Sequence, residues 1–257
     1  MKSTRSTGSV TSSRRVARKG LAAVRRDRSR SVIGDIHGRL DLLDQVIAKI
    51  ELDMKRAPSS AAFTVTLGDY IDRGPNSRGV IERLMHNPFS MSYVPLRGNH
   101  EELFENFLEN PSLGNQWRHL GGLETLHSYG VPVSLLMMGK GFQEAAKLLR
   151  ENVPETHLEF LSSLRTCASS GSYFLCHAGV RPGIPLDRQD PQDLLWIRQE
   201  FLNSKVDFGK RVVHGHTPTD RPEVLPNRIN IDTGAYMTGR LTCLVLEGEQ
   251  HRFLNSE

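Results

Sequence analysis

Five short segments carry residues whose types and spacing suit chemistry: GDIHG (34–38), GDYIDRG (68–74), RGNHE (97–101), CHAG (176–179) and HGHTP (214–218). Each ends or follows an apolar run and sets Asp, His or Asn beside glycine. Carboxylate, amide and imidazole ligands without thiolate suit Mn2+, Fe or Zn2+ better than soft metals or Ca2+. A lone Asp-x-His is common in loops, and a lone histidine is usually packed. Five such segments on one chain are a set, and burying so many ionisable groups in one crevice without cations would be prohibitively costly. The pattern points to a two-metal hydrolytic centre.

Asp35 and His37, two residues apart at an extended strand end, would point the same way and share one ion. Asp69 has two carboxylate oxygens with which to bridge, Asn99 offers a neutral carbonyl oxygen, and two further histidines complete a second site. Two ions about 3.5–4 Å apart lower the pKa of a bridging water towards about 7 and hold phosphate oxygens for in-line attack.

Positioning these groups requires strands that end together. Ser31–Ile33 and Phe63–Leu67 are β-rich runs ending at Gly-Asp, and Tyr93–Leu96 is a third. Between the first two, Leu43, Val46, Ile47, Ile50 and Met54 recur at helical spacing over Leu40–Lys55. Ser77 is expected to cap a helix burying Val80, Ile81, Leu84 and Met85, and His100–Asn110 opens another with Leu103, Phe104, Phe107 and Leu108 inward. This β-α-β-α-β-α order predicts an α/β fold with parallel strands, whose carboxyl ends converge on one crevice. Residues 103–165 read as mostly helical, with Pro154 opening a helix to about Leu164. Strand-like runs follow at Tyr173–Leu175, Arg211–Val213, Arg228–Ile231 and Leu241–Leu246, interrupted by one helix capped by Asp190. The C-terminal strands are expected to form a second sheet or an extended edge.

The chain has 257 residues, 38% of them hydrophobic, enough for one large domain. No apolar run approaches the ~20 residues of a membrane span, so a soluble protein is expected. Cys167, Cys176 and Cys243 are three cysteines without CxxC spacing, which argues against a disulfide framework and fits a reducing, cytoplasmic setting. Residues 1–30 hold ten Lys or Arg against one acid, Asp27, and the remainder holds 23 basic against 28 acidic residues. The basic charge therefore belongs to a tail, expected to be disordered, ahead of a mildly acidic catalytic domain at 31–257. Within it, Val16–Arg28 could form a basic helix on an anionic partner such as nucleic acid, although aromatics for base stacking are absent; an organelle-targeting role is the competing reading.

In full and in order, GDxHG, GDxxDRG, GNHE, H and H resemble the pattern of the metallo-dependent phosphoprotein phosphatases, over about residues 31–237. CHAG and GHTP look more like the bacterial and phage members. The resemblance implies a calcineurin-like metallophosphoesterase fold, a central β-sandwich flanked by helices. It implies that Asp35, His37 and Asp69 bind one divalent ion, and that Asp69, Asn99, His177 and a histidine of HGHTP bind another, with Mn2+ expected and Fe or Zn as alternatives. His214 and His216 compete for that last place, and alignment on Gly-His-Thr-Pro favours His216.

The same resemblance implies that His100 is the general acid, oriented and kept protonated by Asp72. Arg73 and Arg198 would grip phosphate through their planar forks, the alternative for Arg198 being a helix-surface ion pair. Arg97, His214 and Asp232 would stand behind these groups, Asp232 against a ligating histidine. Trp117 and His119, in WRHLGGLETLHSYG (117–130), resemble a stretch near the cleft and are candidates for substrate contact, against the plain reading of a capped helix with a buried Trp. The implied activity is phosphomonoester hydrolysis on phosphoproteins, Ser/Thr by default and phosphotyrosine unranked. Symmetrical diadenosine tetraphosphate hydrolysis is the enzymatic rival, with GNHE rather than GNHD leaning away from it. A non-catalytic scaffold with a nucleic-acid-binding tail is the rival of another class.

Overall fold

Alternation along short strands sorts the apolar residues into three layers, and the layers define the architecture. The computed structural model describes residues 29–56 and 62–256, together with the backbone of 23–24. Strands β2 (Arg30–Ile33), β3 (Phe63–Thr66) and β4 (Ser92–Pro95) are parallel neighbours, linked by α1 (Leu40–Arg56) and α2 (Ser77–Met85). A second sheet runs β1 (Ala23–Val24), β5 (Cys167–Ser170), β6 (Tyr173–Cys176), β7 (Arg211–His214), β9 (Arg228–Asn230), β8 (Glu223–Val224), in that spatial order.

Val32, Val65 and Leu67 from the first sheet meet Tyr173, Leu175, Val213 and Ile229 from the second, forming the layer between sheets. Their chain neighbours turn the other way: Ile33 packs on the helices, and Phe174, Cys176 and Val212 pack on the far side. Period-two side-chain direction does this sorting. The result is the β-sandwich flanked by helices that the resemblance implies.

Both expected fates of the C-terminal strands occur: β6, β7 and β9 build the second sheet, and the last strands extend the edge of the first. There β10 (Thr242–Glu247) pairs antiparallel with β2, and β11 (Gln250–Asn255) closes that edge. The alternation in β10 explains it: Leu244 and Leu246 face the sandwich layer while Cys243 and Val245 face the helices, as neighbours of Val32 and Ile33 must. Asn76, not Ser77, caps α2, its Oδ1 accepting from Gly79 N at 2.9 Å.

The helical layer comprises α3 (Asn99–Glu109), α4 (Gly114–Trp117), a π turn (Arg118–Gly122), α5 (Leu123–Ser128), α6 (Ser134–Met137), α7 (Phe142–Asn152) and α8 (Glu155–Ser163), with Pro154 at the cap of α8. The single helix expected after Asp190 is two, α9 (Pro191–Trp196) and α10 (Gln199–Leu202), broken at Arg198 (φ −130°, ψ −96°). The last helix, α11 (Ala235–Thr238), follows β9.

The basic segment 1–30 lies mostly outside the described residues, as does nearly all of the Val16–Arg28 stretch. Two parts of the segment contribute to the sheets: residues 23–24 pair in parallel with β5, and Arg30 is already in β2, buried, with Nε donating to Ser170 Oγ at 2.6 Å. Among the described residues, no helix is long and apolar enough to cross a membrane.

Candidate active site and metal centre

Loops leaving the carboxyl ends of β2, β3, β4, β6 and β7 carry the five sequence segments, and they meet where the two sheets open. Their backbones are bent hard. Non-glycine residues with positive φ include His37 (46°), Asp69 (53°), Asp72 (70°), Arg73 (67°) and His216 (65°), so strain collects at the site. Main-chain bonds hold it: His37 N donates to Asp69 O (2.8 Å), and Arg73 N to Gly121 O (3.0 Å). His37 therefore reaches the site from a left-handed turn rather than from the extended strand end expected. Two glycines are required by close approach. A Cβ on Gly98 would lie 2.2 Å from Asp69 Oδ1, and one on Gly215 would lie 1.9 Å from Asp35 Oδ1.

Asp69 sits between two histidine groups. Its Oδ2 is 3.4 Å from His37 Nε2 and 3.8 Å from His100 Nε2; its Oδ1 is 3.4 Å from His177 Nε2. Asn99 Oδ1 stands 2.8 Å from both His177 Nε2 and His216 Nδ1. The ligand atoms of His37, Asp69 and His100, and those of Asp69, His177 and His216, each lie within 4.8 Å of one another. Of the two histidines of HGHTP, His216 is the one whose ring joins the second group. His214 lies buried behind it, its Nδ1 3.1 Å from Gly215 O and its ring edge-on to Phe201. Among the described residues, Asp35 is not in either group: its Oδ2 accepts the His216 N–H at 2.9 Å, and its carboxylate faces the charges of Asp232 and Asp69.

The donor chemistry fits divalent cations. His37 Nδ1 donates to Ile71 O (2.9 Å) and His177 Nδ1 to Leu67 O (3.1 Å), and burial lowers both pKa values. Each neutral ring thus turns the bare lone pair of Nε2 towards a carboxylate oxygen. Acceptor facing acceptor in a buried space is unfavourable alone and is reconciled by a cation between them, the other ring nitrogen being fixed by a carbonyl. Asp35 Oδ1 and His216 Nε2 are also buried without a hydrogen-bond partner among the described residues.

The electrostatics agree. Burial raises the Asp35 carboxyl well above its ordinary range, aided by Asp232 and Asp69. Burial would raise Asp69 too, and only positive charge on the rings that face it brings its carboxyl below the usual range, so its ionised form depends on cationic charge in the site. Burial brings His216 down to about 2.

A second network begins at Asp72. Its Oδ2 accepts from His100 Nδ1 (2.7 Å) and Trp117 Nε1 (2.8 Å), and its Oδ1 from Thr125 Oγ1 (2.6 Å). Burial works against a charged His100, but the Asp69 charge and the Asp72 bond outweigh it, and the net shift is upward. Arg73 Nη2 lies 3.1 Å from His100 Nε2, and its guanidinium carbon is 4.8 Å from the Tyr236 ring centroid. Tyr236 in turn meets His37 edge-on at 5.3 Å. A cleft of about 830 Å³, lined in part by Gly38, Arg39, Arg73, Asn76 and Tyr236, opens beside them.

Arg198, at the break between α9 and α10, is exposed, with Nη1 3.4 Å from Thr217 Oγ1 and its charge felt at His177 and His216. It is not on a helix face, and among the described residues it has no carboxylate partner. Arg97 pairs with Glu105 (2.5 Å) on α3. Trp117 is 1% exposed, so it holds Asp72 rather than touching substrate; His119 is exposed. Asp232 bonds Gly234 N (2.9 Å) and acts on Asp35 electrostatically, not against a ligating histidine as expected; burial raises it to about 6.

Sequence reasoning did not find Thr125, Tyr236 or the task of Glu101. Both Glu101 oxygens are buried and accept Gly98 N (2.8 Å), Asp69 N (2.9 Å) and Tyr70 N (2.8 Å), clamping the Asp69 loop to the start of α3. Burial and the Asp69 charge raise its pKa to about 7. The E of GNHE was the available signal.

The calcineurin-like phosphoesterase family profile matches residues 31–240. The chain belongs to that family. This calcineurin-like phosphoesterase is 28% identical over 220 residues to serine/threonine-protein phosphatase 2 of Salmonella typhimurium, covering 82% of this chain and 89% of the relative. It is 26% identical over 234 residues to an asymmetrical bis(5'-nucleosyl)-tetraphosphatase of Oceanobacillus iheyensis, covering 82% and 86%. A solved structure provisionally described as a diadenosine tetraphosphatase shares the fold at TM-score 0.61, with 19% identity and 92% and 97% of the two chains covered.

Proposed function

We propose that this phosphoesterase hydrolyses phosphomonoesters on phosphoproteins, with phosphoserine and phosphothreonine as default substrates and two divalent ions, Mn2+ first among them, as cofactors. The observation that carries the reading is one carboxylate, Asp69, standing between two histidine groups, 3.8 Å from a His100 that is tied to Asp72. Asp69, His37 and Asp35 would hold one ion, and Asp69, Asn99, His177 and His216 the other. Bound there, the ions would supply a water of lowered pKa and offset phosphate charge.

The chain's own groups do the rest. Arg73 donates to phosphate oxygens from one side and Arg198 from the other. Before phosphate arrives, His100 Nε2 accepts from Arg73 at 3.1 Å. An incoming phosphate competes for that guanidinium and leaves Nε2 free to carry a proton. His100 then gives this proton to the leaving oxygen while Nδ1–H stays on Asp72, which keeps the imidazole turned and its charged form stable.

Dinucleotide hydrolysis is the second reading, supported by the relatives that bear a tetraphosphatase name, of the asymmetrical kind where the rival weighed from sequence was the symmetrical kind. The deciding experiment sets Mn2+-loaded protein on a phosphoserine or phosphothreonine peptide and on diadenosine tetraphosphate, with Asp69→Asn as control. Phosphate release from the peptide, lost in the control, is the expected result. Cleavage of the dinucleotide alone overturns the phosphoprotein reading and leaves the centre standing.

A further inference from the structure

Three of the most exposed apolar side chains in the described residues fall within four positions: Leu135 (54% exposed), Met137 (64%) and Met138 (64%). They belong to α6 and its cap, while Leu136 between them is buried and anchors the turn. The patch is joined to the active-site loops through hydrogen bonds. Arg118 Nη1 donates to Met137 O (2.9 Å) and Nε to Asn115 Oδ1 (2.9 Å). The π turn that begins at Arg118 ends beside Gly121, whose carbonyl accepts Arg73 N–H (3.0 Å). Arg73, Arg118, His119 and Tyr236 line one hollow of about 390 Å³, with Glu124 its only acid among the described residues. Met237, 60% exposed, follows Tyr236 in the chain.

The surface leading away from His100 is therefore cationic first, at Arg73 and Arg118, and apolar next, at Leu135, Met137 and Met138. We infer that this track reads the polypeptide on one side of the phosphorylated residue, taking an acidic side chain over Arg118 and a bulky aliphatic one on α6. The inference rests on the phosphoprotein reading and names the sequence class that reading leaves open.

Charge complementarity selects the occupant nearest the phosphate. Thioether side chains suit the outer part, since flexible methionines pack against varied aliphatic groups. A dinucleotide would instead ask for aromatic faces to stack on, and the outer track, Leu135 to Met138, has none. Exposed apolar side chains clustered beside a polar cleft are the usual mark of an interaction site.

The test measures kcat/KM of the Mn2+-loaded full chain on matched phosphoserine peptides. One carries Asp and Leu before the phosphoserine, one after it, and one has Ser and Gly at all those places. The full chain is compared with Leu135→Ser/Met137→Ser/Met138→Ser and with Arg118→Glu, using p-nitrophenyl phosphate as a substrate too short to reach α6. One Asp-Leu peptide should be preferred over the Ser-Gly peptide by roughly fivefold to tenfold, the value of part-burying one aliphatic side chain. The triple variant and Arg118→Glu should each lose most of the preference for that Asp-Leu peptide, with the small substrate turned over as before. Equal kcat/KM for all three peptides overturns the inference while leaving the phosphoprotein reading intact. An equal loss on the small substrate in the triple variant also overturns it, by showing a structural effect. Turnover of diadenosine tetraphosphate with no peptide cleaved removes both readings together.

Discussion

Two buried polar networks meet at His100, and they are finished differently. Around Asp69, acceptors face acceptors: neutral His37 and His177 turn lone pairs to its carboxylate, and Asp35 Oδ1 and His216 Nε2 find no partner among the described residues. Around Asp72, every oxygen is met by a donor from the protein: Thr125, Trp117 and His100. One network would be balanced by ions from outside; the other is balanced by side chains on the helical layer. A reaction at their junction would join a supplied electrophile to an acid whose position is set by folding alone. The two halves should then fail in different ways.

The largest effect should come from Asp69→Asn, which weakens both ion groups at once. Turnover should fall by about 10³-fold or more, with metal content reduced. Retention of two equivalents of metal by elemental analysis would mean that Asp69 is not the shared ligand. Next is His100→Asn, expected to lower kcat on an alkyl phosphoester by about 10²–10⁴-fold while leaving metal content unchanged. p-Nitrophenyl phosphate should suffer less, because its leaving group hardly needs a proton. Full turnover of the alkyl ester would end the acid assignment.

Smaller again are Trp117→Phe and Thr125→Val, which loosen Asp72 without touching a ligand. Each should reduce kcat about tenfold at unchanged metal content, mainly for alkyl esters. A loss of metal in either variant would erase the contrast between the two networks.

A separate effect falls on stability and not on turnover. Burial and the Arg228 charge bring His214 down to about 3, so the folded protein refuses a proton that the unfolded chain accepts. As pH falls from about 6.5 towards 3, the unfolded state binds more protons and stability drops, by up to about 1.4 kcal/mol per pH unit for one such group. In metal-free protein, His214→Phe should flatten the dependence of unfolding free energy on pH across that window. An unchanged slope would show that His214 is not the group responsible.

What the sequence made legible follows from chain distance. Asp35, His37, Asp69, Asn99, His177 and His216 could be read because each lies directly beyond an apolar run, and parallel strands bring such ends together. The partners of Asp72 could not be. Trp117 and Thr125 lie 45 and 53 positions away, and their tasks emerge only when the helical layer packs over the loop. The Glu101 clamp joins positions 31 and 32 apart through backbone N–H groups, which leave no compositional trace. Local patterns were misleading where tertiary pairing overrode them. A run that reads as one helix breaks at Arg198 to bring that side chain towards Thr217.

Both tryptophans of the chain stand on this junction. Trp117 gives its N–H to Asp72, and Trp196, whose own N–H goes to Glu102 at 2.6 Å, holds its ring 6.3 Å from that of His216. Indole emission responds to nearby charge, so the molecule carries two optical probes aimed at its two networks. A Trp196→Phe protein would report the acid pair through Trp117 alone, and a Trp117→Phe protein the arrival of ions beside His216. Protonation and metal loading could then be timed separately, without a label, in the same cuvette.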